Sequence, residues 1–125
     1  MLVGLGIDVV EVKRIQRILK TFRGRFKERV FTAEEIAYCQ SQGRPSLAFA
    51  ARWAAKEACL KALGTGWTAG IGFKEIAVGH LESGAPTLIL TGVAAEKLVA
   101  LGHPIAHVSL THTRTTAAAV VVLDR

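Results

Sequence analysis

RWAAKEACLKALGTG, from Arg52 to Gly66, reads as a helix that stops at a Gly-Thr-Gly turn. With the residues just upstream, Phe49, Trp53, Leu60 and Leu63 recur at helical spacing and predict an inward face, with Ser46 as the cap and Gly64 as the stop. Lys56 falls on that apolar stripe. It either runs its stem along the core or reaches a phosphate. Glu57 and Lys61 stand one turn apart with the acid first, the spacing of an ordinary helix salt bridge stabilising by roughly 0.2–0.5 kcal/mol. Ala50, Ala54 and Ala58 on the adjoining face point instead to room for a ligand. A carboxylate and two ammonium groups beside a glycine turn suit a metal-plus-phosphate site. Mg²⁺ takes carboxylate and phosphate oxygens and keeps waters, and Gly64-Thr65-Gly66 can turn backbone N–H groups toward an anion.

The second informative segment is LVGLGIDVVEV, Leu2 to Val12, which reads as a strand with Gly4 and Gly6 marking close backbone approach. Asp8 is the one acid in a stretch otherwise apolar from Leu2 to Val10, and a buried carboxylate must be paired or bind a metal. Lys56 and Arg52 are the neighbours that would pair it. The glycines do not make a dinucleotide fingerprint, because they lie inside the strand and no helix opens on them.

Around these segments the order is strand, helices, two strands, helix, hairpin. That pattern predicts an α+β fold, a mostly antiparallel sheet packed with a long central helix, as one domain over residues 1–125. A helix with Val12, Ile15, Leu19 and Phe22 inward follows the first strand. A second is expected from about Ala33 toward Gln42, where Thr32 and Glu35 form a capping box. Strands are expected over Gly72–Leu81 and Pro86–Thr91, a helix over Val93–Leu101, and hairpin arms over Ala106–Leu110 and Ala117–Leu123. Alternation puts His107, Ser109 and Thr111 on one face of the first arm.

The net charge of +6 is unevenly placed. From Lys13 to Arg29 there are eight basic residues against one acid, and the rest of the chain has eight basic and nine acidic residues. The basicity is thus a local docking surface. The longest apolar run, Ala117–Leu123, is far short of the ~20 residues that span a bilayer, and Asp8 and Glu11 fall where a signal peptide would be apolar. A cytoplasmic protein with no membrane partner is expected. Cys39 and Cys59 lack metal-type spacing and read as reduced thiols.

Gly6-Ile7-Asp8, Phe31-Thr32-Ala33-Glu34-Glu35, Lys56-Glu57-Ala58 with Lys61, Gly64-Thr65-Gly66, and His107 to His112 occur in this order over nearly the whole chain. Together they resemble the small holo-acyl-carrier-protein synthases, a family of phosphopantetheinyl transferases. The resemblance implies Mg²⁺-dependent transfer of 4′-phosphopantetheine from coenzyme A to a serine of an apo acyl carrier protein in fatty acid biosynthesis. It implies Asp8 and Glu57 as metal ligands. Lys56, Lys61, Gly64, Thr65 and His107 become coenzyme A contacts, and Asp8, Glu57, Lys61 and His107 the catalytic set. The proton acceptor is Glu57 or a metal-held water, and sequence does not choose. Single-module relatives imply a homotrimer with interfacial sites, His107 reaching across from the neighbour. Arg14, Arg17, Arg23 and Arg25 are the expected docking residues for the acidic carrier. The rival reading, a nucleic-acid-binding module, leaves Asp8 and Glu57 unexplained and has only Phe22 and Phe26 interleaving the basic stretch. A structural oligomer without substrate is the third.

Overall fold

Strand β1, Leu2–Glu11, pairs antiparallel with β5, Thr116–Asp124, which pairs in turn with β4, Ile105–His112, in the computed structural model, which describes residues 1–66 and 70–125. One face of this three-stranded sheet closes on α4, Pro45–Leu63. The period-2 alternation of β5 is complete. Ala117, Ala119, Val121 and Leu123 are buried against the helix, and the residues between them face the other way.

Helix α4 is buried on nearly every side, as a helix at the centre of a small fold must be. Four shorter elements complete its cover: α1 at Val12–Phe22, α2 at Gly24–Val30, α3 at Ala33–Ser41, and a separate hairpin of β2, Ile76–His80, with β3, Pro86–Leu90. Helix α5, Gly92–Ala100, links that hairpin to β4. The α+β fold around a long central helix is as expected, with the antiparallel strands divided between two sheets.

Several boundaries differ from expectation for identifiable reasons. Helix α2 was hidden inside the basic run; it begins after Arg23, which turns the chain at φ 50, and it inserts Phe26 edge-on to Phe31 at 5.9 Å. Ser46 does not cap α4. Pro45 occupies its first turn, where the missing N–H costs nothing, and Arg44 precedes it. A 3-10 turn over Phe73–Glu75 shortens the strand expected from Gly72. The capping box of Thr32 and Glu35 is present in both directions, and Gly64 ends α4 in the left-handed conformation at φ 75.

Among the described residues, none covers the far face of the sheet. Leu5, Ile7 and Val9 of β1 stand there about 60% exposed, alongside Val120 and Val122 of β5 and His107, Ser109 and Thr111 of β4.

Candidate active site

The seam between β1 and α4 is closer than side chains would permit. A Cβ on Gly6 would lie 1.8 Å from the carbonyl oxygen of Ala58, and one on Gly4 would lie 2.3 Å from that of Ala62. Both glycines therefore serve strand–helix contact. Ala50, Ala54 and Ala58 are wholly buried in this packing, so the small residues expected to leave room for a ligand instead let the sheet close on the helix.

Asp8 follows Gly6 by two residues, so it shares the α4-facing side of β1, and Glu57 adjoins Ala58 on the helix. Lys61, one turn beyond Glu57, donates from Nζ to the carbonyl of Ile7 at 2.9 Å and lies 3.4 Å from Asp8 Oδ1. Among the described residues Asp8 pairs with Lys61, and not with Lys56 or Arg52. With the lysine side chain 54% exposed, the pair contributes about 0–1 kcal/mol and can exchange for an anion at little cost. Two carboxylates flanked by one solvated ammonium fit a hard cation that completes its shell with water and phosphate oxygens. Among the described residues no group of three or more His, Cys, Asp and Glu side chains gathers, so nothing there resembles a closed zinc site.

Lys56 requires a correction. Its ammonium is completely buried and donates to Glu35 Oε1 at 2.9 Å, to the Phe73 carbonyl at 3.1 Å and to the Ile76 carbonyl at 2.6 Å. All three donors are committed inside the protein, leaving none for a phosphate. Burial draws its pKa down from the usual lysine value, while the Glu35 carboxylate opposes that shift.

A cleft of about 770 Å³ opens beside the other half of α4, between Arg44, Arg52, His80, Pro86, Ser109 and His112. Sequence reading offered Arg52 only as a partner for Asp8 and did not single out Arg44 or His80. The guanidinium of Arg52 lies 4.1 Å over the Tyr38 ring and 3.2 Å from His80 Nε2, and its Nε is buried without a hydrogen-bond partner among the described residues. Partial burial and then the charge of Arg52 hold the His80 pKa below the ordinary histidine value. The sign of this group in the sequence was Arg52, a charge one turn before Lys56 in the central helix. His112, the end of the His107–His112 segment, lines the cleft. His107 does not; it is on the uncovered sheet face, opposite Val122. Gly64 and Thr65 follow the end of α4, beyond Lys61.

The cleft and the carboxylates lie on different sides of α4, since Arg52 and Lys61, nine residues apart, point about half a turn from one another. Asp8 and the cleft residue Leu110 both oppose Ala119 of β5, so the register sets them two strand spacings, about 10 Å, apart. Along α4, Arg52 and Lys61 are separated by about 14 Å.

Comparison with known proteins decides the lineage. The profile of the 4′-phosphopantetheinyl transferase superfamily matches residues 4–119. The chain belongs to that superfamily. Holo-[acyl-carrier-protein] synthases from Maridesulfovibrio salexigens and Dinoroseobacter shibae are 47% and 46% identical to it; the first match covers 100% of both chains, the second 99% of this chain and 92% of the relative. Among solved structures, the holo-[acyl-carrier-protein] synthase of Neisseria meningitidis superposes with a TM-score of 0.91 at 34% identity, covering 100% of both chains. That of Helicobacter pylori, in complex with coenzyme A, superposes with a TM-score of 0.84 at 32% identity, covering 96% of this chain and 99% of the other.

For a phosphopantetheinyl transferase the remaining feature of note is its basic surface. Arg14 and Arg17 on α1, Arg23 at the junction and Arg25 on α2 are all exposed, while Ile15 of the same helix is buried. Phe22, half exposed, stands among these charges. No described helix is long and apolar enough to cross a membrane.

Proposed function

We infer that the chain is a holo-acyl-carrier-protein synthase, which transfers the 4′-phosphopantetheinyl group of coenzyme A to a serine hydroxyl of an apo acyl carrier protein. The end-to-end similarity to synthases of that name carries the reading. In the reaction the serine oxygen bonds to the phosphorus that bears the pantetheine arm. The pyrophosphate bond to the adenosine half breaks, and adenosine 3′,5′-bisphosphate departs with the electron pair.

The residues divide that work by position. The cleft takes the nucleotide, with Arg44, Arg52 and His112 available to its phosphates. Lys61 turns from Asp8 toward the pyrophosphate, helped by the backbone of Gly64 and the residue Thr65. Asp8 and Glu57 would hold Mg²⁺, which when bound neutralises charge on the phosphates and orients them. Glu57, or a water beside Asp8, accepts the serine proton, a contribution of roughly 10²–10⁴ in rate. The exposed arginines Arg14, Arg17, Arg23 and Arg25 meet the acidic carrier, and Phe22 offers an apolar anchor among them.

The uncovered apolar face of the sheet supports a homotrimer, since a patch of this kind on a small domain is an association surface. His107 on that face would then meet the neighbouring subunit, with sites completed between chains. We take residues 1–125 as one catalytic domain working in the cytoplasm for fatty acid biosynthesis, a setting supported by two free, buried thiols. The test is release of adenosine 3′,5′-bisphosphate from coenzyme A in the presence of apo carrier. Release should stop under EDTA and resume with Mg²⁺; full release in thorough chelation contradicts the metal reading.

A further inference from the structure

The buried ion pair between α3 and α4 takes no part in the steps above. Glu35 and Lys56 are almost wholly shielded from solvent, 2.9 Å apart. The Glu35 carboxylate also accepts from Thr32 N at 2.9 Å and Val78 N at 3.1 Å, and the Lys56 ammonium also donates to the carbonyls of Phe73 and Ile76. One pair thus fastens the start of α3, the middle of α4 and the β2 strand with its preceding turn.

Three cleft residues lie one short step from this hub. Tyr38 follows Glu35 by three positions in α3, Arg52 precedes Lys56 by one turn of α4, and His80 follows Val78 by two in β2. Such spacings keep each on the same side of its element as its hub residue. The three meet one another. Arg52 stacks on Tyr38 and contacts His80, and the rings of Tyr38 and His80 are 4.4 Å apart. On the opposite flank Glu57 is the very next residue after Lys56.

We infer that Glu35 and Lys56 form a positioning pair, which holds the Tyr38–Arg52–His80 wall of the cleft and the adjoining Glu57 in one frame. The chemistry favours this over simple adhesion. A buried ammonium with every donor used, facing a carboxylate with three donors of its own, fits one arrangement of the three elements, whereas apolar contact tolerates sliding. Breaking the pair therefore alters the wall and Glu57 together. The kinetic part of this inference rests on the coenzyme A reading above; the effect on His80 does not.

Glu35→Gln keeps the shape but replaces one accepting oxygen with an amide that donates, so one of its three partners is left facing a donor. The protein is studied folded, well below its melting midpoint, by NMR titration of His80, with the resonance assigned from His80→Gln, and by steady-state kinetics per folded molecule. The His80 pKa should rise toward the ordinary histidine value as the wall relaxes. The KM for coenzyme A should rise and kcat fall, each by about ten- to a hundredfold, the scale of an ångström-level misplacement. Glu35→Leu/Lys56→Met, an apolar replacement of the pair, serves as the second variant and covers the case in which Glu35→Gln does not fold. It should recover stability without recovering the kinetics or the His80 titration. A lowered melting point with unchanged titration, KM and kcat, or an apolar pair with full wild-type kinetics, overturns the inference. Should the wild type bind no coenzyme A, the functional reading falls and the His80 titration alone decides the pair.

Discussion

Gly6→Ala is the most direct physical probe of how the site is assembled. The new methyl carbon would fall 1.8 Å from the Ala58 carbonyl oxygen and 2.7 Å from the Ala62 nitrogen, both backbone atoms that no rotamer change can move. Restoring ordinary contact requires β1 to lift from α4 by roughly 1.5–2 Å. Overpacking typically costs 1–3 kcal/mol, and a clash with helix backbone belongs at the top of that range, about 3 kcal/mol. For a chain of this length that lowers the melting midpoint by roughly 10–15 °C. Asp8 rides on the same strand two residues on, so the molecules still folded should turn over about 10²-fold more slowly. Gly24→Ala is the control. It lies at the start of α2 with nothing within 4 Å of its added carbon, and it should be neutral or stabilising by about 0.5–1 kcal/mol. Thermal melts and carrier-dependent turnover, measured on both variants side by side, decide the matter. A Gly6→Ala protein that melts and turns over like the wild type would refute the close-packed seam as the device that sets Asp8 against α4.

Asp8→Asn and Glu57→Gln should each abolish transfer while circular dichroism and melting stay near wild type, since their charge serves the substrate side; unfolding in either would mark a structural acid. Lys56→Met should destabilise by roughly 3–5 kcal/mol in urea titrations, because it strands the buried Glu35 carboxylate. His80 titrates in the folded protein below its ordinary value, so between that value and its lower folded pKa the unfolded chain binds the proton first. Stability is therefore lost as pH falls below about 6.5, and His80→Gln should flatten that part of the melting-versus-pH curve. Arg14→Glu and Arg17→Glu should raise the KM for the carrier with a smaller change in kcat, and added salt should mimic them. Tighter binding of RNA than of an acidic carrier at physiological salt would count against the carrier-docking surface.

The strand–helix core was legible because its signals are local. Glycines inside an apolar strand, a helical stripe closed by Gly64 and the Thr32–Glu35 capping box each declare themselves within a few residues. Lys56 was misleading for the opposite reason. Its partners Glu35, Phe73 and Ile76 lie 17 to 21 positions away, and only the fold shows that the ammonium is spent internally. The alanines of α4 looked like ligand space because their neighbour, the glycine-thinned face of β1, is likewise remote in sequence. The cleft is a tertiary object altogether: Tyr38, Arg52, His80 and His112 come from four elements, and no spacing rule joins them. Alternation did place His107 correctly on one face of β4, but not which face the other described residues leave uncovered.

The central claim is the transfer itself, and the mass of the acceptor reads it without intermediaries. Purified protein is incubated with coenzyme A, Mg²⁺ and an apo acyl carrier protein, alongside the same carrier with its acceptor serine changed to alanine, and both carriers are weighed by intact-protein mass spectrometry. The serine carrier should gain the mass of one 4′-phosphopantetheinyl group, and the alanine carrier and the Glu57→Gln reaction should gain none. An unmodified serine carrier, with folded enzyme and both co-reactants present, would contradict the account.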